Sequence, residues 1–201
     1  MLSVFDLDHT LLRINVSYCF CLYLYRKKIL SLIDVAFAAF YYIRHRYLKL
    51  SFLDYHSKLF ERLLKGKSLN LLNEQADQFI EEILPSYLYP PAFSALKQAE
   101  YTMILSSSPD FLVGKIAKKL GVDKYRATQY LVDKDQKLCK ISSVMHGDFK
   151  AKAIMGENGE VAAYSDSILD LPMLLCAKKP VAVNPDRKLK TFALKNGWLI
   201  I

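Results

Sequence analysis

The sequence predicts an α/β fold in which a parallel sheet is interrupted, directly after its first strand, by an all-helical insertion. Three observations carry this. An apolar run, Leu2, Val4 and Phe5, opens the chain and ends in Asp-Leu-Asp-His-Thr, the pattern of a short buried strand that delivers polar side chains into a turn. Residues 14–84 then show no strand alternation and contain a single glycine, Gly66. From residue 92 onward, short apolar runs alternate with helical segments.

In an open α/β sheet, ligands bind outside the carboxyl ends of the strands, so Asp6 and Asp8 stand where chemistry is usually done. Two acids at i and i+2 are like charges held close, which is unfavourable unless a cation neutralises them or one carries a proton. A hard divalent ion, most simply Mg²⁺, suits an all-oxygen site between carboxylates and a phosphate. By themselves these residues also fit a strand that ends in a solvated acidic turn.

In residues 14–84 the apolar positions recur at helical spacing, as in Leu59, Leu63, Leu64 and in Leu71, Leu72, Phe79, Ile83, predicting three or four helices. Residues 29–43 contain one charge, Asp34, between basic flanks. As a helix they span roughly 22 Å, short of the roughly 30 Å hydrocarbon core of a bilayer. Tyr41, Tyr42 and Tyr47 favour a membrane interface, so this segment reads either as a buried helix or as one in shallow contact with a membrane surface. Pro85, Pro90 and Pro91 break the helical pattern and predict a stiff linker.

The core resumes with a helix over 92–100 and a strand over 101–105 that runs into Ser106, Ser107, Ser108 and Pro109. Small hydroxyl residues between a strand and a helix suit an anion, because the helix N–H groups point at it; as N-caps they suit the helix alone. A helix over about 111–120 ends at Gly121, and strands over 125–132 and 137–143 form a hairpin. His146-Gly147-Asp148-Phe149-Lys150 leads into a helix over 151–155, with His146 read as a loop residue. A strand over 160–165 feeds Asp166-Ser167-Ile168-Leu169-Asp170-Leu171-Pro172, and residues 180–201 read as a strand, a turn and a closing strand.

A hydrophobic fraction of 52% with 24% charged residues describes a globular chain rather than a disordered one. Four cysteines without a CxxC pair, and no cleavable leader ahead of the first strand, predict free thiols in a reducing cytoplasm. Most of the formal charge of +8 lies in residues 14–67, which carry ten Lys or Arg against three acids. Such a segment attracts anions, whether phosphorylated substrates, nucleic acid or an anionic membrane face, but no nucleic-acid motif appears.

DLDHT resembles the DxDxT signature of the haloacid dehalogenase-like hydrolases, most of which are phosphatases. ILSSSPDFLV, the Lys150 segment and DSxxDxP resemble the later motifs of the same family, in the family's order. The resemblance covers residues 1–13 and 92–201 and implies a Rossmann-like catalytic core, with residues 14–91 as a helical cap of the C1 type. It implies Asp6 as nucleophile and Asp8 as general acid/base, with Lys150 pairing with Asp6 and the phosphoryl group and Lys152 the runner-up. Ser106, the Ser107 N–H and Thr10 are implied to bind phosphate. Asp6, Asp166 and the Asp8 carbonyl are implied to hold Mg²⁺, with Asp170 supporting the site. Ser165 stands where the family usually has glycine, which requires an ordinary φ there.

The resemblance extends to the subfamily of phosphoserine phosphatase-like enzymes, whose acidic cap residue holds the substrate amine. No acid occurs here between residues 14 and 33. The basic, aromatic-rich cap with YSDS at residues 164–167 is similar instead to the phosphatidylglycerophosphate phosphatases of that subfamily. The expected substrate is therefore a lipid phosphate met at the inner face of a membrane, or a small soluble phosphate. A non-catalytic phosphate sensor is the third reading.

Overall fold

The computed structural model describes residues 1–201, apart from the side chain of Arg46. Its frame is a seven-stranded sheet in the order β4-β3-β2-β1-β5-β6-β7. The strands are β1 (Leu2–Phe5), β2 (Tyr101–Pro109), β3 (Lys124–Val132), β4 (Leu138–Ser143), β5 (Val161–Ser165), β6 (Lys179–Ala182) and β7 (Leu199–Ile200). Every pairing is parallel except that of β3 with β4. Because β1 pairs with β2 on one side and β5 on the other, the chain reverses its direction of travel across the sheet at β1. That is where an open sheet leaves a crevice.

The insertion consists of α1 (Val16–Arg26), α2 (Leu32–Tyr47), α3 (Phe52–Leu59), a π-helical turn (Phe60–Leu64) and α4 (Leu69–Tyr87). Local chemistry starts each one. Asn15, Ser31, Ser51 and Ser68 accept hydrogen bonds from the first-turn amides of α1 to α4, and Ser31 forms a capping box with Asp34. That box moves the apolar helix predicted over 29–43 to Leu32–Tyr47, with Leu30 folded back into the core.

The predicted proline linker is corrected. Pro85 lies inside the last turn of α4, where its missing N–H removes one i→i−4 bond and the helix ends two residues later. Pro90 and Pro91 open α5 (Pro90–Gln98), where a missing N–H costs nothing. The connection is Leu88 and Tyr89, pinned to the exit of β1 by Arg13 N–H to Tyr87 O and Tyr89 N–H to Leu11 O. The remaining helices are α6 (Asp110–Leu120), α7 (Gly147–Met155), α8 (Leu171–Cys176) and α9 (Arg187–Lys195). Gly121 ends α6 in the left-handed conformation as expected. Two further corrections concern helices: α7 begins at Gly147 rather than residue 151, and α9 fills the stretch read as a turn before the closing strand.

The insertion has no core separate from the sheet. Phe20, Tyr23 and Leu24 of α1 and Phe79 and Ile80 of α4 join Phe111 and Ile116 of α6 in one buried cluster. Backbone bonds from residues 66–69 to the β3–β4 hairpin fasten it at a second place, as in Gly66 N–H to Leu138 O at 2.7 Å. A smaller cluster of Val4, Met103, Leu105, Ala163, Met173 and Leu189 completes the core.

Candidate active site

Three strands end at one point. β1 delivers Asp6, β2 delivers the serines 106–108, and β5 delivers Ser165 and Asp166. The chain leaves β1 through a tight turn in which His9 takes a φ of 60°, a conformation a non-glycine residue adopts at some strain. Lys150 comes from the first turn of α7. Gly147 lets that turn approach so closely, because a Cβ there would overlap the Leu169 carbonyl.

Lys150 is 4% exposed. Its ammonium donates to Asp6 Oδ1 at 2.6 Å and to Asp170 Oδ2 at 2.7 Å, and the Ser165 hydroxyl donates to the same Asp170 oxygen at 2.8 Å. Ser165 replaces the family's glycine without backbone strain, since its φ is not positive. The runner-up Lys152 is exposed and rests over the Phe149 ring, away from this cluster.

Asp8 faces the other way. Its Oδ1 accepts from Val16 N–H, the first residue of α1, at 2.8 Å, and its Oδ2 accepts from the Ser108 hydroxyl at 2.8 Å. Ser108 in turn lies 2.6 Å from Ser17 of α1. The carboxyl is thus aimed at the joint between core and insertion, held but not salt-bridged. Burial raises its pKa above the ordinary carboxylate value, against the lowering effect of those two hydrogen bonds. A carboxyl so placed suits a proton donor and acceptor.

Thr10 corrects one expectation. Its hydroxyl is fully buried, 3.3 Å from both Asp6 Oδ2 and Asp166 Oδ1, and accepts from Asp166 N–H at 3.0 Å. Those bonds tie the two carboxylates together, and Thr10 is not among the residues that line the cavity described below. Ser106 is also fully buried and accepts from Ser108 N–H at 3.1 Å, while its own proton has no acceptor among the described residues. Ser107 and Ser108 line the cavity described below.

The electrostatics of the pocket are unbalanced. Four carboxyls, Asp6, Asp8, Asp166 and Asp170, share the pocket with one ammonium, Lys150, which pairs with only Asp6 and Asp170. Burial pushes Asp6 up to about 7, against the pull of Lys150 and with Asp170 and Asp8 adding to the rise. Burial, Asp6 and Asp170 push Asp166 up to about 8. Burial alone would lower the Lys150 pKa, but Asp170 and Asp6 more than offset it and hold the amine charged. Such a donor set accommodates a hard cation between Asp6 and Asp166. Among the described residues no three His, Cys, Asp or Glu side chains cluster to hold a metal ion, so two carboxylates and a main-chain carbonyl would have to serve.

Above the carboxylates opens a cavity of about 1000 Å³ that penetrates the insertion. Phe20, Leu24, Leu30, Phe60, Leu63 and Leu64 are among its walls. The π-helical turn contributes the last three, consistent with the habit of such turns to mark functional sites. Among the described residues, every acid on its wall comes from the core, since Asp34 of the insertion pairs with Arg62 at 2.7 Å. His146, expected as a loop residue, precedes α7 and lines the cavity with His45 and His56. Sequence reasoning missed this imidazole group, and also Asp186, whose carboxylate accepts from Ile168 N–H at 2.9 Å and steadies the turn carrying Asp170. Neither has a local sequence signal.

The comparisons with known proteins agree with this geometry. The family model described as haloacid dehalogenase-like hydrolase matches residues 3–175. A histidinol-phosphatase of Neisseria meningitidis is 26% identical over 100% of this chain and 97% of its own length. The inhibition of morphological differentiation protein of Streptomyces azureus is 30% identical over 69% of this chain and 54% of its own. A crystal structure of a Bordetella pertussis protein of unknown function superposes with a TM-score of 0.86 at 25% identity, covering 100% and 97% of the two chains. The chain spans about half or less of the length of the first curated relatives it matches. With its motifs at the ends of β1, β2 and β5 and the family model matching most of its length, the chain belongs to the haloacid dehalogenase-like hydrolases.

Proposed function

We propose that the protein is a Mg²⁺-dependent phosphatase that hydrolyses a phosphate monoester through an aspartyl-phosphate on Asp6, and that its substrate carries a large apolar body, as a lipid phosphate such as phosphatidylglycerophosphate does. The 1000 Å³ cavity carries the substrate reading. It begins at the reacting carboxylates and continues between apolar walls, and its insertion side offers no acid for an amino group.

Phosphate monoesters resist hydrolysis strongly, and enzymes accelerate the reaction by up to about 10²¹-fold. In the proposed sequence an Asp6 oxygen forms a bond to phosphorus while the bond to the leaving oxygen breaks. Asp8, in whose buried carboxyl the protonated form is favoured relative to an ordinary carboxylate, gives its proton to that oxygen. Asp8 then takes a proton from water, which attacks phosphorus and releases the Asp6 carboxylate. Lys150, the free Ser106 proton and the Ser107 N–H offset charge on the phosphoryl group. Mg²⁺, held by Asp6, Asp166 and the Asp8 carbonyl, would supply further charge neutralisation when bound. In the same proposal residues 14–91 act as the cap that selects the substrate.

A soluble phosphate of a ring compound is the second reading. It is favoured by the full-length similarity to a histidinol-phosphatase and by the aromatic lining of His45, Phe52, Tyr55 and His146. Phosphate release from a panel separates the two. With phosphatidylglycerophosphate and phosphatidate in micelles beside phosphoserine, histidinol phosphate and sugar phosphates, the lipids are expected to lead in kcat/KM. Preference for histidinol phosphate would install the second reading, and no turnover on any of them would sink both.

The cation requirement has its own signature in stability. A carboxyl whose folded pKa lies above its unfolded 3.8 destabilises the fold as pH rises through the interval between the two. His56, pushed down to about 4 by burial and by His45 and His146, works oppositely, but only below its unfolded value of 6.5. Between pH 6.5 and about 8.5 the carboxyl pair therefore governs. In chelator, the thermal midpoint is expected to fall by about 5 °C or more across this window, and millimolar Mg²⁺ is expected to flatten the profile. Identical slopes with and without Mg²⁺ would exclude the cation from the Asp6–Asp166 pair.

A further inference from the structure

α2 is built inside out. At about 100° per residue, Leu32, Ile43, Ala36, Tyr47, Phe40 and Ile33 fall in that order within one arc of about 100°. All six are exposed, Ile33 by 70% and Tyr47 by 73%. The opposite side carries Ala38, which is buried, and Asp34, which is committed to Ser31 and Arg62. Leu48 and Leu53 continue the exposed apolar surface toward α3, a helix with no buried residue at all. Isolated exposed apolar residues need no explanation, but a continuous stripe along a 16-residue helix marks a surface that something covers.

Charge identifies the occupant. Exposed Lys27 and Lys28 stand at the turn before α2, after Arg26, the last residue of α1, whose guanidinium pairs with Glu82 at 3.1 Å, and exposed Lys49 follows α2. Arg44 lies beside the stripe with its guanidinium over Phe40. Asp54, the nearby exposed acid, is engaged in capping α3 through Ser51. Two copies of this chain meeting here would each bring the strongly basic 14–67 segment, and like charges oppose that contact. An apolar stripe with aromatic residues and basic ends suits the boundary between headgroups and acyl chains of an anionic membrane. No helix among the described residues is long and apolar enough to cross a membrane, so the contact lies in the plane of the surface.

We propose that the outer face of α2, extended by Leu48 and Leu53 and flanked by Arg26, Lys27, Lys28 and Lys49, docks the protein peripherally on an anionic lipid surface. Ile43 belongs both to this face and to the wall of the active-site cavity, so docking places the cavity mouth at the membrane. The surface is separate from the reacting carboxylates and stands whichever phosphate the cavity takes.

Flotation with vesicles tests it without reference to catalysis. The protein is expected to float with equimolar phosphatidylcholine–phosphatidylglycerol vesicles, far less with phosphatidylcholine alone, and to be released by high salt. Ile33→Glu with Phe40→Glu, and separately Lys27→Glu with Lys28→Glu, are each expected to lower partitioning about tenfold or more. Neither pair lines the cavity, and unchanged circular dichroism and thermal midpoint would certify their folds. Equal binding to neutral vesicles, or variants that float like the parent, would overturn the proposal. So would a dimer in solution that Ile33→Glu with Phe40→Glu splits, since a second copy would then be the occupant.

Discussion

Asp6→Asn is expected to lower kcat by at least about 10⁴-fold while leaving the fold intact. The substitution keeps the shape of a residue that is 7% exposed and replaces the nucleophilic oxygen with a neutral amide. Lys150 retains Asp170 at 2.7 Å, so the ammonium is not orphaned. The matched variant is Asp8→Asn, because the two carboxyls have different tasks in the proposed sequence. Removing Asp8 impairs protonation of the leaving oxygen and, more severely, activation of the water that cleaves the intermediate. With an activated aryl phosphate, whose leaving group needs little protonation, Asp8→Asn is expected to accumulate phosphoenzyme. Acid quenching and intact-mass measurement would find one added phosphoryl group on Asp8→Asn and none on Asp6→Asn. Phosphoryl transfer to any other residue, or turnover retained in Asp6→Asn, would refute the assignment.

The carboxylates of that experiment were legible because each sits in a short linear pattern that begins at a strand end, whereas Lys150 was legible through the family resemblance alone. Asp6, Asp8, Asp166, Asp170 and Lys150 needed only the order of elements to be brought together, and the structure joins Lys150 to Asp6 across 144 residues of sequence. What sequence reasoning lost was pairing that no local pattern encodes. Thr10 looks like a free hydroxyl in the turn, yet its partners are Asp6 and, at the end of a distant strand, Asp166. Ser108 and Ser17 meet only because α1 starts beside the end of β2. Pro85 looks like a break because proline disrupts helix interiors, yet α4 carries it through at the loss of one i→i−4 bond and stops two residues later. α9 was missed because it buries only Leu189 and Ala193, too few to raise a helical period above its lysines. The apolar segment around α2 was ambiguous for a deeper reason. Its composition is the same whether the stripe faces a core or a solvent later displaced by lipid, and only the packing of its neighbours distinguishes the two.

Lys150→Met should damage both activity and stability, and the two losses separate. In the native protein the ammonium lies between Asp6 and Asp170 with 4% exposure. Methionine fills similar volume but leaves two buried carboxylates facing each other without a cation. Removing one partner of a buried ion pair typically costs about 3–5 kcal/mol, which the fold reduces by taking up a proton. Lys150 is the main influence lowering the Asp6 pKa, so without it that pKa rises and the acid limb of the activity profile moves to higher pH. At neutral pH, kcat/KM is expected to fall by about 10³-fold or more through lost phosphoryl stabilisation and a scarcer Asp6 carboxylate. Asp170→Asn in the same chain removes one of the orphaned charges. The double variant is therefore expected to regain a measurable part of the stability in denaturant melts while regaining little activity, because Asp170 touches Lys150 and Ser165, not the reacting atoms. If the double variant were less stable than Lys150→Met alone, the charge account of this cluster would fail, and Asp170 would have to be credited with a packing role of its own.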